Sequence, residues 1–133
     1  MALSYSTTLR NAMLDAVTTA VGNAGKLRIY SGTRPANVAA AITGTLLAEL
    51  TTGTPYAAGA SSAVIDPRVS TADSSADNTG TATHFRQWKS DGTTAVIDGN
   101  VSTSGSDLNL SSTSIVATGS VSVTSFTITE GNP

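Results

Sequence analysis

The chain has 133 residues, seven basic and nine acidic side chains, a net charge of −2 and no cysteine. We expect residues 1–133 to form a single domain, since this is the usual length of one. The missing cysteines exclude disulfides and thiol chemistry, and the balance of basic and acidic residues argues against nucleic acid as a partner. The sequence contains no apolar run of about 18 residues, so we predict neither a membrane span nor a membrane as a partner.

The first predicted element is a helix over about residues 6–21. Apolar side chains recur there at three- and four-residue steps, which is typical of one face of an amphipathic helix. These side chains are Leu9, Met13, Ala16, Val17, Ala20 and Val21. Ser6 or Thr7 is suited to cap the start and Gly22 to end the helix. We expect the apolar stripe to pack on the domain's own sheet, with a partner surface as the alternative, and Arg10, Asn11 and Asp15 to point away from it.

After the helix the apolar period changes to two, which indicates strands. We expect strands at 26–31 and 45–51, with a loop or short helical turn at 36–43 between them. The stretch 53–62 is rich in Thr, Ala, Gly and Ser and predicts a loop. Residues 63–65 form a brief apolar run. Because Pro67 cannot donate a hydrogen bond to a neighbouring strand, this run must lie at a sheet edge or end before the proline.

The clearest hairpin joins residues 81–89 to residues 94–98. Asp91 and Gly92 lie at its centre, and this dipeptide favours a type I′ turn. Further short strands are expected at 100–103, 108–110, 114–117 and 120–129.

Two of these strands break the alternation of apolar and polar residues, and a β-bulge in each explains the break. Phe85 and Trp88 have opposite parity, so a bulge near residues 86–87 would bring both rings to one face. A second bulge near residues 124–125 would do the same for the strand at 120–129. About seven or eight short strands with frequent turns are typical of a β-sandwich. We therefore predict an all-β fold, a jelly-roll-like antiparallel β-sandwich with one N-terminal α-helix.

The sequence offers little catalytic chemistry. His84 is the only histidine, so any Ser-His-Asp triad must use it, and no G-x-S-x-G turn presents a serine. Asp73, Asp77 and Asn78 resemble the spacing of a calcium loop, but the central glycine and closing glutamate of that loop are missing. We predict no catalytic residue, no cofactor and no metal site, and interpret His84 as a structural or interface residue of a strand.

The composition favours assembly. Ser and Thr together number 40, more than the 33 large hydrophobic side chains, and charged residues make up 12% of the chain. Long charged side chains keep monomers apart, because ordering them at an interface costs entropy. A surface that is poor in them indicates a domain that covers part of itself by assembling.

Six segments, spread over nearly the whole chain, carry a family resemblance. They are residues 9–11 (LRN), 14–16 (LDA), 27–35 (LRIYSGTRP), 77–86 (DNTGTATHFR), 104–110 (SGSDLNL) and 121–132 (VSVTSFTITEGN). These segments resemble those of small structural virion proteins of tailed bacteriophages. The resemblance implies a head decoration (cement) protein that binds the outer capsid lattice and stabilises it, with a tail or neck (connector) subunit as the alternative.

The resemblance further implies a homo-oligomer, dimer or trimer, whose other partner is the major capsid protein lattice. It implies no enzyme activity, and a location on the phage head after synthesis in the bacterial cytoplasm. Aromatic and apolar residues of loops and termini are the expected contacts, namely Leu3, Tyr5, Tyr56 and Trp88. A rival function of another class is a carbohydrate-binding module with Trp88 and Tyr56 as its stacking platform, and an enzyme that uses His84 is the third alternative.

Overall fold

The structure is a computed structural model and describes residues 3–130. Within this range it has one helix and eleven strands: α1 (Thr7–Val21), β1 (Lys26–Tyr30), β2 (Leu46–Ala57), β3 (Val64–Ile65), β4 (Pro67–Thr71), β5 (Gly80–Thr81), β6 (His84–Trp88), β7 (Ala95–Ser102), β8 (Leu108–Leu110), β9 (Ser114–Ile115), β10 (Val123–Phe126) and β11 (Ile128–Thr129). The prediction of a β-rich chain with one N-terminal helix is confirmed.

Seven strands form one large sheet in the order β10-β8-β7-β6-β1-β2-β4, and β11–β3 and β5–β9 form two small ribbons. Neighbouring strands of the large sheet run antiparallel except β7 and β8, which run parallel. The strands at its two ends, β4 and β10, contact each other. Asp73 and Val121, which follow β4 and precede β10, form an isolated bridge. The sheet is therefore nearly closed, and its central strands β6 and β1 are paired on both sides.

The core lies on the inner side of this sheet. Leu27 and Ile29 of β1 are fully buried there, beside their cross-strand partners on β6. The Phe126 ring lies edge-on to Phe85 at 5.2 Å and to Tyr56 at 6.4 Å between ring centroids. Edge-to-face contacts of this kind add to the free energy gained by burying the rings. The three aromatic rings thus join β2, β6 and β10.

Helix α1 has the predicted ends. The Ser6 hydroxyl accepts a hydrogen bond from the Leu9 N–H, and Gly22 ends the helix with φ +73°. Its packing face differs from the predicted stripe. Leu14 and Val21 are buried, whereas Leu9 and Met13 are 47% and 38% exposed.

Polar side chains that we expected in solvent hold the helix in this orientation. The side-chain Oδ1 of Asn11 accepts from the Ala63 N–H at 2.9 Å, and the Asp15 carboxylate accepts from the Ala60 N–H at 2.7 Å. These two bonds satisfy backbone donors of the segment before β3. Periodicity identified the helix correctly but not its buried face, because the partner of each polar group lies about fifty residues away in the chain.

The loop prediction for residues 53–62 is wrong in its first half, since β2 continues to Ala57. Thr52 pairs with Val69 and Ala57 pairs with Pro67, and the register shifts between these two pairs. Gly53 and Pro55 therefore lie within the irregular part of β2 and not in a connecting loop. The edge strand β4 tolerates Pro67, which has no N–H to donate.

The hairpin between β6 and β7 has a different turn from the predicted type I′. The Gly92 N–H donates to the Lys89 carbonyl at 3.0 Å, and Gly92 has φ +69° while Asp91 does not have a positive φ. A type I′ turn needs positive φ at both central residues. The Asp91 carboxylate instead accepts from the backbone N–H groups of Thr93 and Thr94.

Of the two predicted bulges, one is confirmed and one is wrong. The register between β10 and β8 shifts between Val123 and Ser125, as predicted. Strand β6 pairs with β1 without any shift from His84 to Trp88, and its pairing with β7 shifts only at its last residue. Phe85 therefore points into the core while Trp88 lies on the outer side.

A substitution at Gly44 tests how tightly the segment between β1 and β2 is packed. A Cβ at this position would overlap the Ser31 carbonyl oxygen. We expect Gly44→Ala to lower the free energy of unfolding by about 2 kcal/mol, measured by urea denaturation. Gly59→Ala is the matched control, since a Cβ there meets nothing within 4 Å, and we expect a change within about 0.5 kcal/mol. Equal stability of the two variants would contradict this packing.

Candidate functional site

The outer side of the sheet carries a row of charged side chains across four adjacent strands. Glu49 of β2 pairs with Arg28 of β1, Arg28 pairs with Arg86 of β6, and Arg86 pairs with Asp98 of β7. We call this row, together with Lys26 and Trp88 in the next register position and with Arg34, which contacts Asp98, the arginine face. Two arginines stand directly opposite each other in it, which is unfavourable unless anions compensate.

Each of the two carboxylates is shared by two cations. Glu49 contacts Arg28 at 2.7 Å and Lys26 at 3.8 Å. Asp98 contacts Arg86 at 3.0 Å and, through its other oxygen, Arg34 at 3.0 Å. Four basic and two acidic groups give this surface a charge of +2, although the whole chain has −2. The remainder of the chain therefore carries −4.

Trp88 lies beside both arginines of the row. The guanidinium carbons of Arg28 and Arg86 are 5.4 and 5.7 Å from its ring centroid. Cations at this distance are attracted by the electrons of an indole ring. The ring thereby offsets part of the repulsion between the two arginines.

Arg86 is the most buried member of the face, and its side chain is 3% exposed. Its Nη1 donates to the Ala40 carbonyl at 2.8 Å and its Nη2 to the Asn37 carbonyl at 3.2 Å. Both carbonyls belong to the segment 31–45 that connects β1 to β2. The guanidinium therefore ties this connecting segment onto the outer side of the sheet.

Asp98 stays ionised beside Arg86. Its burial raises its pKa, but the hydrogen bonds from Arg86 and Arg34 lower it by more, so the pKa lies below its ordinary value. Removing this carboxylate would leave a buried guanidinium without a counter-charge, which is far more costly than losing an exposed ion pair.

His84 lies on β6 beneath the same segment and is fully buried. Its ring stacks on Tyr30 at 5.4 Å, and its Nδ1 is 3.0 Å from the Thr83 hydroxyl. Burial lowers the pKa of His84, and the nearby Asp98 offsets part of that effect. His84 is therefore neutral near pH 7.

The connecting segment and the hairpin turn enclose a groove on the arginine face. Its floor is formed by Tyr30, Arg86 and Trp88, and its walls by residues 38–42 and 93–95. The volume is about 660 Å³, which is within the range of small-molecule sites. We call it the Trp88 groove.

The four predicted interface residues do not form one surface. Leu3 is 56% exposed, while Tyr5 and Trp88 are half-buried. Tyr56 is fully buried against Phe126, so the expectation that it is a contact residue is wrong. Its burial also raises the pKa of its phenol group. A stacking platform built from Tyr56 and Trp88 is wrong for the same reason, since one ring is in the core and the other on the outer side.

The sequence interpretation did not identify Arg28, Glu49 or Asp98 as parts of a site. A usable signal was present, because Arg28 alternates with the buried Leu27 and Ile29 and so had to face outward. Which outward residues of four strands stand side by side depends on the register, and that was not predictable from local patterns.

Two of the residues with calcium-loop spacing, Asp73 and Asn78, use their side chains to bond backbone groups. Asp73 accepts from the Glu49 N–H at 3.0 Å and from the Ser75 N–H at 2.9 Å. The Asn78 amide donates to the Leu46 carbonyl at 2.8 Å. Within residues 3–130 no three His, Asp or Glu side chains are grouped so as to hold a metal ion. The same residues include no helix with the length and hydropathy needed to cross a membrane.

With the fold and this site described, comparison with known proteins adds no relationship. The chain matches no family model, no curated protein and no solved structure.

Removal of Asp98 tests the role of the buried ion pair. We expect Asp98→Ala to lower the free energy of unfolding by about 3 kcal/mol, because it leaves Arg86 charged and buried. Glu49→Ala is the matched control on the same row, and since its side chain is 34% exposed we expect a loss below about 1 kcal/mol. Urea denaturation of both variants at pH 7 measures the difference, and equal losses would contradict the assigned role.

The contacts of the Asp91 carboxylate in the hairpin turn predict how its ionisation depends on pH. The Thr94 hydroxyl and the N–H groups of Thr93 and Thr94 lower the pKa of Asp91 to about 2. Because the folded pKa is below the ordinary value, the stabilisation by this carboxylate is present above about pH 4 and is lost as the pH falls towards 2. We expect an NMR titration of the carboxyl carbon to give a pKa of about 2, and a higher value in Thr94→Val. An Asp91 pKa near 4 in the unaltered chain would overturn the assignment.

Proposed function

We propose that the protein is a structural, non-catalytic virion protein of a tailed bacteriophage, which decorates the outside of the head and stabilises its lattice. The resemblance of six segments to such proteins suggests the class. The observation that carries the proposal is an apolar surface near the N-terminal end of the chain that no other part of residues 3–130 covers.

Among residues 3–130, three of the four exposed large hydrophobic side chains belong to residues 3–13. Leu3 is 56% exposed, Leu9 is 47% exposed and Met13 is 38% exposed, while the fourth, Val116, is 61% exposed. Leu9 and Met13 are one helical turn apart and share a side of α1 with exposed alanines at later turns. The opposite side of α1 is docked on the domain. We call the exposed side the helix stripe.

The helix stripe is suited to weak, repeated docking. Burial of a partly exposed leucine or methionine contributes about 1 kcal/mol, which is too little for stable binding by one copy. Copies linked as a dimer or trimer bind a repeating lattice far more tightly than one copy does, because each contact raises the effective concentration for the next. The proposed partners are therefore the major capsid protein and further copies of this chain.

The proposal also covers the detailed topology of the sheet and the location of the protein. We propose a jelly-roll-like course for the nearly closed sheet, which is supported by the approach of its two end strands, β4 and β10. The proposed location is the phage head surface, reached after synthesis in the bacterial cytoplasm.

The test compares variants in their occupancy of phage heads at limiting protein. We expect Leu9→Ser combined with Met13→Ser to reduce the copies per head about thirtyfold, since two apolar contacts of about 1 kcal/mol each are removed and about 1.4 kcal/mol corresponds to a factor of ten. Val116→Ser is the matched control, because it removes an apolar side chain elsewhere that is more exposed than Leu9 or Met13. Quantitative mass spectrometry of purified particles gives the copy number, and circular dichroism confirms that each variant is folded.

The outcomes separate the possibilities. Hundreds of copies of the unaltered chain on each head, with loss only in the helix variant, supports decoration. A copy number of about six or twelve assigns the chain to a tail or neck ring instead. Equal occupancy of the helix variant and the Val116 variant would contradict the assigned docking surface.

A further inference from the structure

We propose that the Trp88 groove is a binding site for an acidic saccharide, that is, a sugar ring that carries a carboxylate. The groove is distinct from the helix stripe, and the inference does not depend on the virion role. It rests on the charge of the arginine face, on the chemistry of the groove's floor and walls, and on the position of the groove within the sheet.

The charge favours an anion. Glu49 and Asp98 neutralise only two of the four cations on the arginine face. Of these cations, Lys26 pairs across the strands with Trp88 of the groove floor, and Arg34 shares Asp98 with Arg86. The remainder of the chain is negative, so a carboxylate is attracted to this surface and repelled elsewhere. Closely spaced cations with too few anions are costly to maintain, and a bound carboxylate would relieve that cost.

The floor also offers hydrogen-bond donors without acceptors. Arg86 Nε and Trp88 Nε1 are buried and have no partner among the described residues. Both groups can only donate, so the ligand that satisfies them must supply oxygen acceptors. A carboxylate and ring hydroxyls supply several such acceptors within the span of one sugar.

The remaining lining suits a sugar ring. Trp88 is half-buried on the floor, and its indole can receive the apolar face of a ring. The wall at 38–42 consists of alanines with one valine and one isoleucine, whereas Thr93 and Thr94 of the opposite wall carry hydroxyl groups. One side of the groove is thus apolar and the other polar, as are the face and the rim of a saccharide.

The position in the sheet argues against a peptide as the ligand. Peptides commonly bind sheets by adding a strand to a free edge. The groove lies over β1 and β6, and each of these strands already has a neighbour on both sides. No backbone edge is available at the groove, so recognition there depends on side chains.

The experiment uses the indole N–H resonance of Trp88, which is unambiguous because the chain has one tryptophan. The purified protein is titrated with trigalacturonic acid, with its methyl ester and with an aspartate trimer, and ¹⁵N–¹H spectra are recorded. We expect a saturable shift of the Trp88 resonance with trigalacturonic acid alone. The shift should require more ligand as salt rises, because the attraction is screened.

Variants locate the binding. Lys26 pairs directly with Trp88 across β1 and β6, and we expect Lys26→Gln to weaken binding about threefold through the loss of one charge. Arg68→Gln is the matched control, because it removes one positive charge from β4, away from the groove, and should leave binding unchanged. Trp88→Ala should weaken binding about tenfold or more, followed by the amide shifts of Thr93 and Thr94.

Each other outcome overturns the proposal. Equal binding of the methyl ester shows that the charge is not recognised, and equal binding of the aspartate trimer shows that the sugar ring is not. Equal weakening by Lys26→Gln and Arg68→Gln places the anion outside the groove. No shift with any of the three probes means that the groove is not a saccharide site.

Discussion

The arrangement of the outer surface depends on one buried guanidinium. Arg86 is on the central strand β6, where every neighbouring backbone group is already paired, so its charge must be met by side chains and loop carbonyls. Asp98 supplies the counter-charge at 3.0 Å, and the Ala40 and Asn37 carbonyls accept at 2.8 and 3.2 Å. Because a buried cation is tolerated only when it is paired and hydrogen-bonded, these contacts are mutually dependent. The side chain thereby fixes the course of a connecting segment that has no regular structure of its own.

The molecule has two surfaces with different chemistry, and the contacts of Arg86 shape one of them. Over β1 and β6 the connecting segment forms the wall of the Trp88 groove, and the excess positive charge of the arginine face is concentrated at its floor. On α1 the polar side chains Asn11 and Asp15 are used to dock the helix, which leaves the apolar Leu9 and Met13 outward. The helix stripe, which we propose for weak apolar contacts, and the Trp88 groove, which we propose for an anionic ligand, are therefore separate features of the chain. A protein that docks on a shell by α1 would keep the groove available for a second ligand.

Local signals in the sequence were sufficient to predict the helix and most strands, but not which face of each element is buried. Ser6 and Gly22 marked the helix ends because capping depends only on neighbouring residues. The buried side of the helix was mispredicted because Asn11 finds its partner in a distant segment, and no periodicity records such a contact. The same limit applies to Trp88, which was placed on one face with Phe85 on the assumption of a bulge that the regular pairing of β6 with β1 does not contain. The sequence did not reveal the candidate site because its residues come together only through the pairing register of four strands, β2, β1, β6 and β7.

The central claim is that Arg86 holds the connecting segment on the sheet, and amide hydrogen exchange tests it most directly. The Ser31 N–H bonds the Thr45 carbonyl and the Ala40 N–H bonds the Asn37 carbonyl, so both amides report on that segment. We predict that in Arg86→Met these two amides exchange at least about tenfold faster, while the Ile29 amide in the middle of β1 loses much less protection, because only the segment is released. Unchanged exchange at Ser31 and Ala40, or an equal loss of protection at all three amides, would contradict the account.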